Sequence, residues 1–189
     1  MIKRSVFLIC LLFITAFSFA QKSDSTGKLI KINNEGSFMN NIMANISSSP
    51  NFSVLTSAIK VAELTDTFSA TSPVTLFAPD NKAFEKLAPG ILDTLLLSSH
   101  KAELMSLILH HAVSGKITSK DIDRQIKSGN GRAIFTTLAG DTLTAQINEN
   151  RNIVFMDGSG NQSVVTRFDI QQSNGILYVI TSVLMPVMK

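Results

Sequence analysis

Three histidines, His100, His110 and His111, are the side chains best suited to metal binding or proton transfer. The adjacent pair lacks the i, i+4 spacing by which a helix offers two imidazoles to one zinc ion, and neighbours on a strand point to opposite faces. The pattern predicts instead that His111, which follows the apolar side Leu104, Leu107 and Ile108, is buried and neutral. Its ring is expected to bond Thr75, Asn81 or backbone, while His110 faces water. Nucleophilic catalysis has little to work with. There is no Gly-x-Ser-x-Gly elbow and no glycine-rich phosphate loop, and the single cysteine, Cys10, lies in the apolar N-terminal segment. Asp157-Gly158-Ser159-Gly160-Asn161 sets oxygen ligands at alternate positions, as a calcium loop does. Gln162 and Phe168 stand where such a loop needs glycine and glutamate, so a hairpin turn is the better reading. Asp121, Asp123 and Glu149 read as surface acids. Asp169-Ile170 is the most suggestive surface pair for recognising a partner. The plainer reading has Ile170 packed inward and Asp169 bonded to backbone N–H groups of its own turn.

These residues are positioned by elements whose periods can be read directly. Val74 to Phe77 suits a buried strand, which Pro79 stops, and Asp80 or Asn81 caps a helix with Ala83, Phe84 and Leu87 inward. Phe77 and Phe84 flank this corner and are expected to enter one core. Upstream, Ser37 caps a helix presenting Phe38, Ile42 and Ile46, and Ser47 to Pro50 breaks it. A second helix opens at Asn51, presents Phe52, Leu55, Ile59 and Ala62, and ends at Leu64 before a Ser/Thr-rich connector. Ile91–Leu97 and Glu103–His110 read as helical, Ala112-Val113 as a short strand, and Thr118 to Asp121 as a capping box for a helix burying Ile122 and Ile126.

Beyond Gly129 the period changes to short β-prone runs: 133–137, 143–147, 153–156, 163–166 and 177–180, separated by polar turns. Asn174-Gly175 reads as one of these turns, with a positive φ at Gly175. Helices first and strands second predict an α+β domain with an antiparallel sheet system.

The 189 residues divide into a short exported address and one domain. Lys3 and Arg4, an apolar run from Val6 to Phe17 and the small-x-small Ser18-Phe19-Ala20 make residues 1–20 a secretory signal peptide. Residues 21–36 are a polar, flexible leader, and residues 37–189 form the domain. Removing Lys3 and Arg4 from the 17 basic residues leaves 15 against 14 acidic ones, so the +3 of the whole chain falls to +1. With no basic run and no interleaved aromatics, nucleic acid is not an expected partner. No later stretch is apolar enough to span a membrane. The product is expected to be secreted, periplasmic or held at the cell surface.

Three stretches resemble, in order and spacing, the signatures of the fasciclin (FAS1) domain family. TLFAPDNKAF, from Thr75 through Phe77, Ala78 and Pro79 to Phe84, is similar to the first. LILHHAVSGKITSKDI is similar to the central segment, with His111 retained and His110 where tyrosine is usual. NGILYVITSVLMP, opening on Asn174-Gly175, is similar to the closing signature, with Tyr178 where histidine is usual. The resemblance implies a wedge of two small, mainly antiparallel β-sheets with short helices packed along one edge. It implies a single secreted or cell-envelope module for adhesion, contacting a cell-surface or matrix protein or a glycan, without catalysis or a cofactor. In some animal members the dipeptides at His110-His111 and Asp169-Ile170 are linked to integrin binding, which makes these four residues the candidates for partner contact. Some algal members bind carotenoids. The alternative is therefore a carrier of an apolar small molecule, lipid or carotenoid-like, in a cleft between helices and sheet. Seven Met and twelve Phe in the chain suit such a cleft, and equally a core.

Overall fold

The computed structural model describes residues 40–186. The signal peptide, the leader, and the helix start expected at Ser37 and Phe38 lie outside the described residues.

Short helices come first. Helix α1 (Ile42–Ser48) is capped by Asn41, whose side chain accepts from the Ala44 N–H at 2.7 Å. A 3-10 turn at Pro50–Phe52 leads into α2 (Ser53–Val61), and both bury the residues expected of them, Phe52, Leu55 and Ile59. Glu63 takes a φ of 56° and turns the chain into α3 (Thr65–Ser69). This helix is absent from the sequence reading because Thr65-Asp66-Thr67 are poor helix formers; burial of Phe68 compensates. Strand β1 (Val74–Pro79) is followed by α4 (Asn81–Phe84), capped by Asp80 as expected. After α5 (Ile91–Leu95), α6 (Lys101–His110) and β2 (Ala112–Ser114) comes α7 (Ser119–Ser128), with the capping box of Thr118 and Asp121 in place. The strands β3 (Ala133–Thr136), β4 (Thr142–Ile147), β5 (Ile153–Met156), β6 (Gln162–Gln172) and β7 (Gly175–Ile180) complete the domain.

The strands form one sheet of seven, in the order β2-β1-β7-β6-β5-β4-β3, which corrects the expectation of two small sheets. The reason lies in β6. Its 11 residues are long enough to pair with β5 at one end and β7 at the other, so one strand serves both halves. A bridge between Val113 and Thr137, with the Leu138 N–H donating to the Ala112 carbonyl at 2.7 Å, ties β2 back to the β3 side and makes the sheet barrel-like. All pairings between neighbouring strands are antiparallel except β1 with β7.

β1 and β7 are buried along their whole length, which is why they read as near-continuous apolar runs. They divide two cores. Leu76, Ala78, Leu177 and Val179 face a helical core with Phe84, Phe68, Leu55 and Leu104. The alternate side chains Phe77, Ile176, Tyr178 and Ile180 fill the barrel with Phe135, Leu143 and Phe155. Phe77 and Phe84 therefore enter different cores, not one, because the strand's period of two sends Phe77 to the face opposite Leu76 and Ala78. The Phe77 ring lies 4.1 Å from that of Phe155 and 5.4 Å from that of Tyr178, centroid to centroid. Burying such a ring contributes about 2–3 kcal/mol.

Gly175 is a strand residue without positive φ, which corrects the turn geometry expected of it. Its requirement is space. A Cβ there would sit 1.8 Å from the Val74 carbonyl oxygen and 2.9 Å from Ile42 Cδ1. Beside it the buried Asn174 amide donates to the Phe68 and Ala70 carbonyls at 2.9 and 2.8 Å, and its oxygen accepts from the Ile42 N–H at 2.9 Å. Gly175→Ala should therefore cost about 3 kcal/mol or more, since backbone rather than a flexible side chain must move. Urea unfolding of the variant with an unchanged midpoint would show that the two strands can separate without loss.

Candidate functional site

The histidine pair closes α6. His111 is buried, its Nδ1–H donating to the Leu107 carbonyl at 2.8 Å and its Nε2 accepting from the Leu184 N–H at 3.0 Å. Burial lowers its pKa from 6.5 to about 4, against the opposing pull of the Leu107 carbonyl. The ring bonds backbone, as one of the expected alternatives had it, but not at the β1–α4 corner. There Thr75 spans the Gly115 carbonyl and the Ile117 N–H, and Asn81 ties the Pro50 carbonyl to the Val54 N–H. What reaches β1 is the His111 carbonyl, which accepts from the Phe77 N–H at 2.9 Å.

His110 does not face water. It is 1% exposed, with Nδ1 2.6 Å from Asp141, and the Thr137 hydroxyl donates to the same carboxylate oxygen. Successive residues at a helix end diverge by about 100°, not by the half-turn of a strand, so both rings can be covered. The β3–β4 turn supplies the cover. No local signal links His110 to Asp141, which stands 31 residues away. His110 Nε2 is buried without a hydrogen-bond partner among the described residues. The two rings stand 6.1 Å apart at 87°, and no group of His, Cys, Asp or Glu among the described residues is arranged to hold a metal ion.

Asp169 is likewise not bonded within its own turn. It lies inside β6 at a φ of 55°, where the ladder to β7 slips. Between the pairs Arg167↔Val179 and Ile170↔Leu177, Phe168 and Asp169 together oppose Tyr178, which makes a β-bulge. The Asp169 carboxylate accepts from the Ser119 N–H at 2.7 Å, the Ser119 hydroxyl at 2.5 Å and the Tyr178 hydroxyl at 2.9 Å. It thereby pins the start of α7 to the bulge. Burial, reinforced by Asp169, pushes the Tyr178 phenol well above its ordinary pKa. Ile170 is half-buried against the helical core. The Asp157 loop is the hairpin turn that was expected: its oxygens accept from the Ser159, Asn161 and Met185 N–H groups at 2.9, 2.9 and 2.8 Å.

No hydrogen bond joins the histidine pair to Asp169 among the described residues. The residues brought to the surface are others. Phe168 is 60% exposed and Ile147 40%. With Arg151, Ile153 and Val165 they border a cleft of about 240 Å³. A second cleft, of about 300 Å³, is lined by Lys86, Leu87, Asn161, Gln162, Ser182 and Met185. Phe168 drew notice in the sequence only as a misfit in a calcium loop. Alternation along the strand could not have marked it, because the register slips both between Val165 and Arg167 and between Arg167 and Ile170.

The Fasciclin domain family profile matches residues 50–186. Protein sll1483 of Synechocystis sp. is 36% identical over 137 residues, covering 72% of this chain and 68% of that protein. Transforming growth factor-beta-induced protein ig-h3 of Oryctolagus cuniculus is 34% identical over 135 residues, covering 71% of this chain but only 18% of its own length. Among solved structures, a FAS1 domain pair from the insect cell adhesion molecule Fasciclin I superposes with a TM-score of 0.67 at 22% identity. It covers 79% of this chain and 51% of the pair. At that identity the likeness is one of fold.

The depressed His111 pKa sets a stability profile. Above pH 6.5 the residue is neutral in both states and costs nothing. As pH falls from 6.5 to about 4 the unfolded chain binds a proton that the fold rejects, and below that both states are protonated. The loss across this window is roughly 3 kcal/mol. His111→Ala should cost about 1–3 kcal/mol at pH 7 and flatten this acid limb. Urea unfolding at a series of pH values checks both; an acid limb as steep in the variant as in the parent would assign the loss to other groups.

Proposed function

Because the chain belongs to the fasciclin domain family, we propose that it is an exported, adhesion-related binding module that contacts a cell-surface or matrix protein or a glycan without performing catalysis. One observation carries this reading. The polar side chains best suited to chemistry are spent on internal bonds: His111 through both ring nitrogens, Asp169 through Ser119 and Tyr178, and Asp157 through its own turn. Their work is to hold a surface rigid. His110, His111, Asp169 and Ile170 then contribute to partner binding by shaping that surface from beneath.

The solved FAS1 pair of the same fold comes from an insect cell adhesion molecule, which supports an adhesive reading, and the chain covers about half of that pair. The family match here is a single domain, and each contact is read as a modest patch of weak single-site affinity. Useful adhesion then comes from several copies presented together, which can strengthen binding by about 10²–10⁴. Beads coated with the purified chain at graded densities should be retained on the host's own envelope or matrix material, steeply with density. Absence of retention at every density would refute the reading.

Among the described residues no helix is long and apolar enough to cross a membrane. Export rests on the charged start and apolar run of residues 1–20. Protein recovered from the host should begin at Gln21, and an N-terminus still at Met1 would refute cleavage there.

A further inference from the structure

The β6 bulge has a second effect besides docking α7. Ser119 and Tyr178 hold Asp169 at a φ of 55°, and Phe168 stands exposed beside it in the bulge. The other phenylalanines among the described residues, Phe52, Phe68, Phe77, Phe84, Phe135 and Phe155, are all buried; Phe168 alone is 60% exposed. It borders the cleft of about 240 Å³ together with Ile147, Ile153 and Val165, a volume that suits one large apolar side chain.

Arg151 is the one charged residue among those that line this cleft. Arg151, in the turn between β4 and β5, takes a φ of 62° and is anchored by its N–H to the Asn148 carbonyl at 2.9 Å. Its exposed guanidinium lines the cleft and makes no ion pair or hydrogen bond among the described residues. Of the carboxylates nearby, Asp169 accepts from three donors, Asp121 pairs with Arg124, and Glu149 is exposed in the Arg151 turn. Phenylalanine and arginine are both enriched at protein interfaces, and arginine is among the residues that carry most of their binding energy. The one charge that lines the cleft is positive and favours a carboxylate on the partner.

We infer that this cleft docks an acidic peptide segment of a partner protein, seating one large aliphatic or aromatic side chain against Phe168, Ile147 and Ile153 and an adjacent carboxylate against Arg151. The inference rests on the reading of the chain as a binding module and names the surface that module uses. The bulge supplies the preorganisation, since the aromatic is presented by a strand locked to α7 and not by a mobile loop.

The test uses the ¹⁵N-labelled exported chain and two synthetic probes. One is the blocked heptapeptide Gly-Ser-Glu-Phe-Asp-Ser-Gly; the other carries lysine at both acidic positions. The acidic peptide should shift amide resonances between Ile147 and Ile153 and around Phe168, saturably at millimolar concentration or below, and the lysine peptide should not. Arg151→Glu and Phe168→Ser, both exposed positions, should each weaken binding about tenfold or more while leaving the amide spectrum folded. Equal binding of both peptides, shifts centred elsewhere, or unchanged affinity in both variants would overturn the inference. So would concentration-dependent shifts of the same amides without peptide, which would assign the cleft to a second copy. Stronger shifts with vesicles of anionic phospholipid than with peptide would assign it to a lipid surface. Bead retention separates this inference from the reading it rests on. If both variant beads are retained like the parent, this surface is wrong and the adhesive module stands; if no beads are retained yet the acidic peptide binds as described, the converse holds.

Discussion

The parallel ladder between β1 and β7 is the interaction on which the rest of the domain depends. It joins six consecutive residue pairs, from Val74↔Gly175 to Pro79↔Ile180. Roughly a hundred residues of chain must be closed before the first of these pairs forms, at an entropic cost that nothing local offsets. The ladder survives because its starting point is clamped. Gly175 lets the Val74 carbonyl approach within a distance that a methyl group would occupy, and Asn174 ties the same point to α1 and α3. Helices and barrel are organised outward from there.

A second theme is the use of polar side chains as struts between distant segments. Asn81 links the 3-10 turn to α4, Thr75 links β1 to the segment before α7, and Asp169 links β6 to α7. Asp157 holds both its own turn and the Met185 N–H. Each satisfies backbone groups that would otherwise be stranded where loops meet the core, and a stranded group costs about 1–3 kcal/mol. The domain thus covers many short elements with few long ones. Its irregular segments are fastened individually.

How much of this was legible follows from the range of each signal. The capping box at Thr118, the Asp80 cap, the β5 boundaries and the inward faces of α2 and α7 are local, and residue type and period were enough to read them. The α3 helix was not, since Phe68 is its sole strong reason to form. The single sheet was missed because nothing in Ser163 to Thr166 shows that β6 runs on to Gln172 through a bulge whose cost is met by Ser119 and Tyr178. His110 was misplaced for the same reason: its partner, Asp141, is brought to it by the sheet and not by the sequence around it. For the candidate residues the structure differs from the sequence reading in what the side chains hold: His110 meets Asp141, and Asp169 binds Ser119 and Tyr178. The exposed Phe168 and the unpaired Arg151 are contributions of the bulge and of a left-handed turn.

The wall that β1 and β7 form between the two cores has a consequence for how the domain can be recognised at all. On an ordinary surface strand half the positions face water and can drift freely in type. Here every position answers to packing on one side or the other, and neither side is optional. Val74 to Pro79 and Gly175 to Ile180 are buried at every position. Two of the stretches that resemble family signatures, TLFAP and NGILYVI, lie along this shared wall.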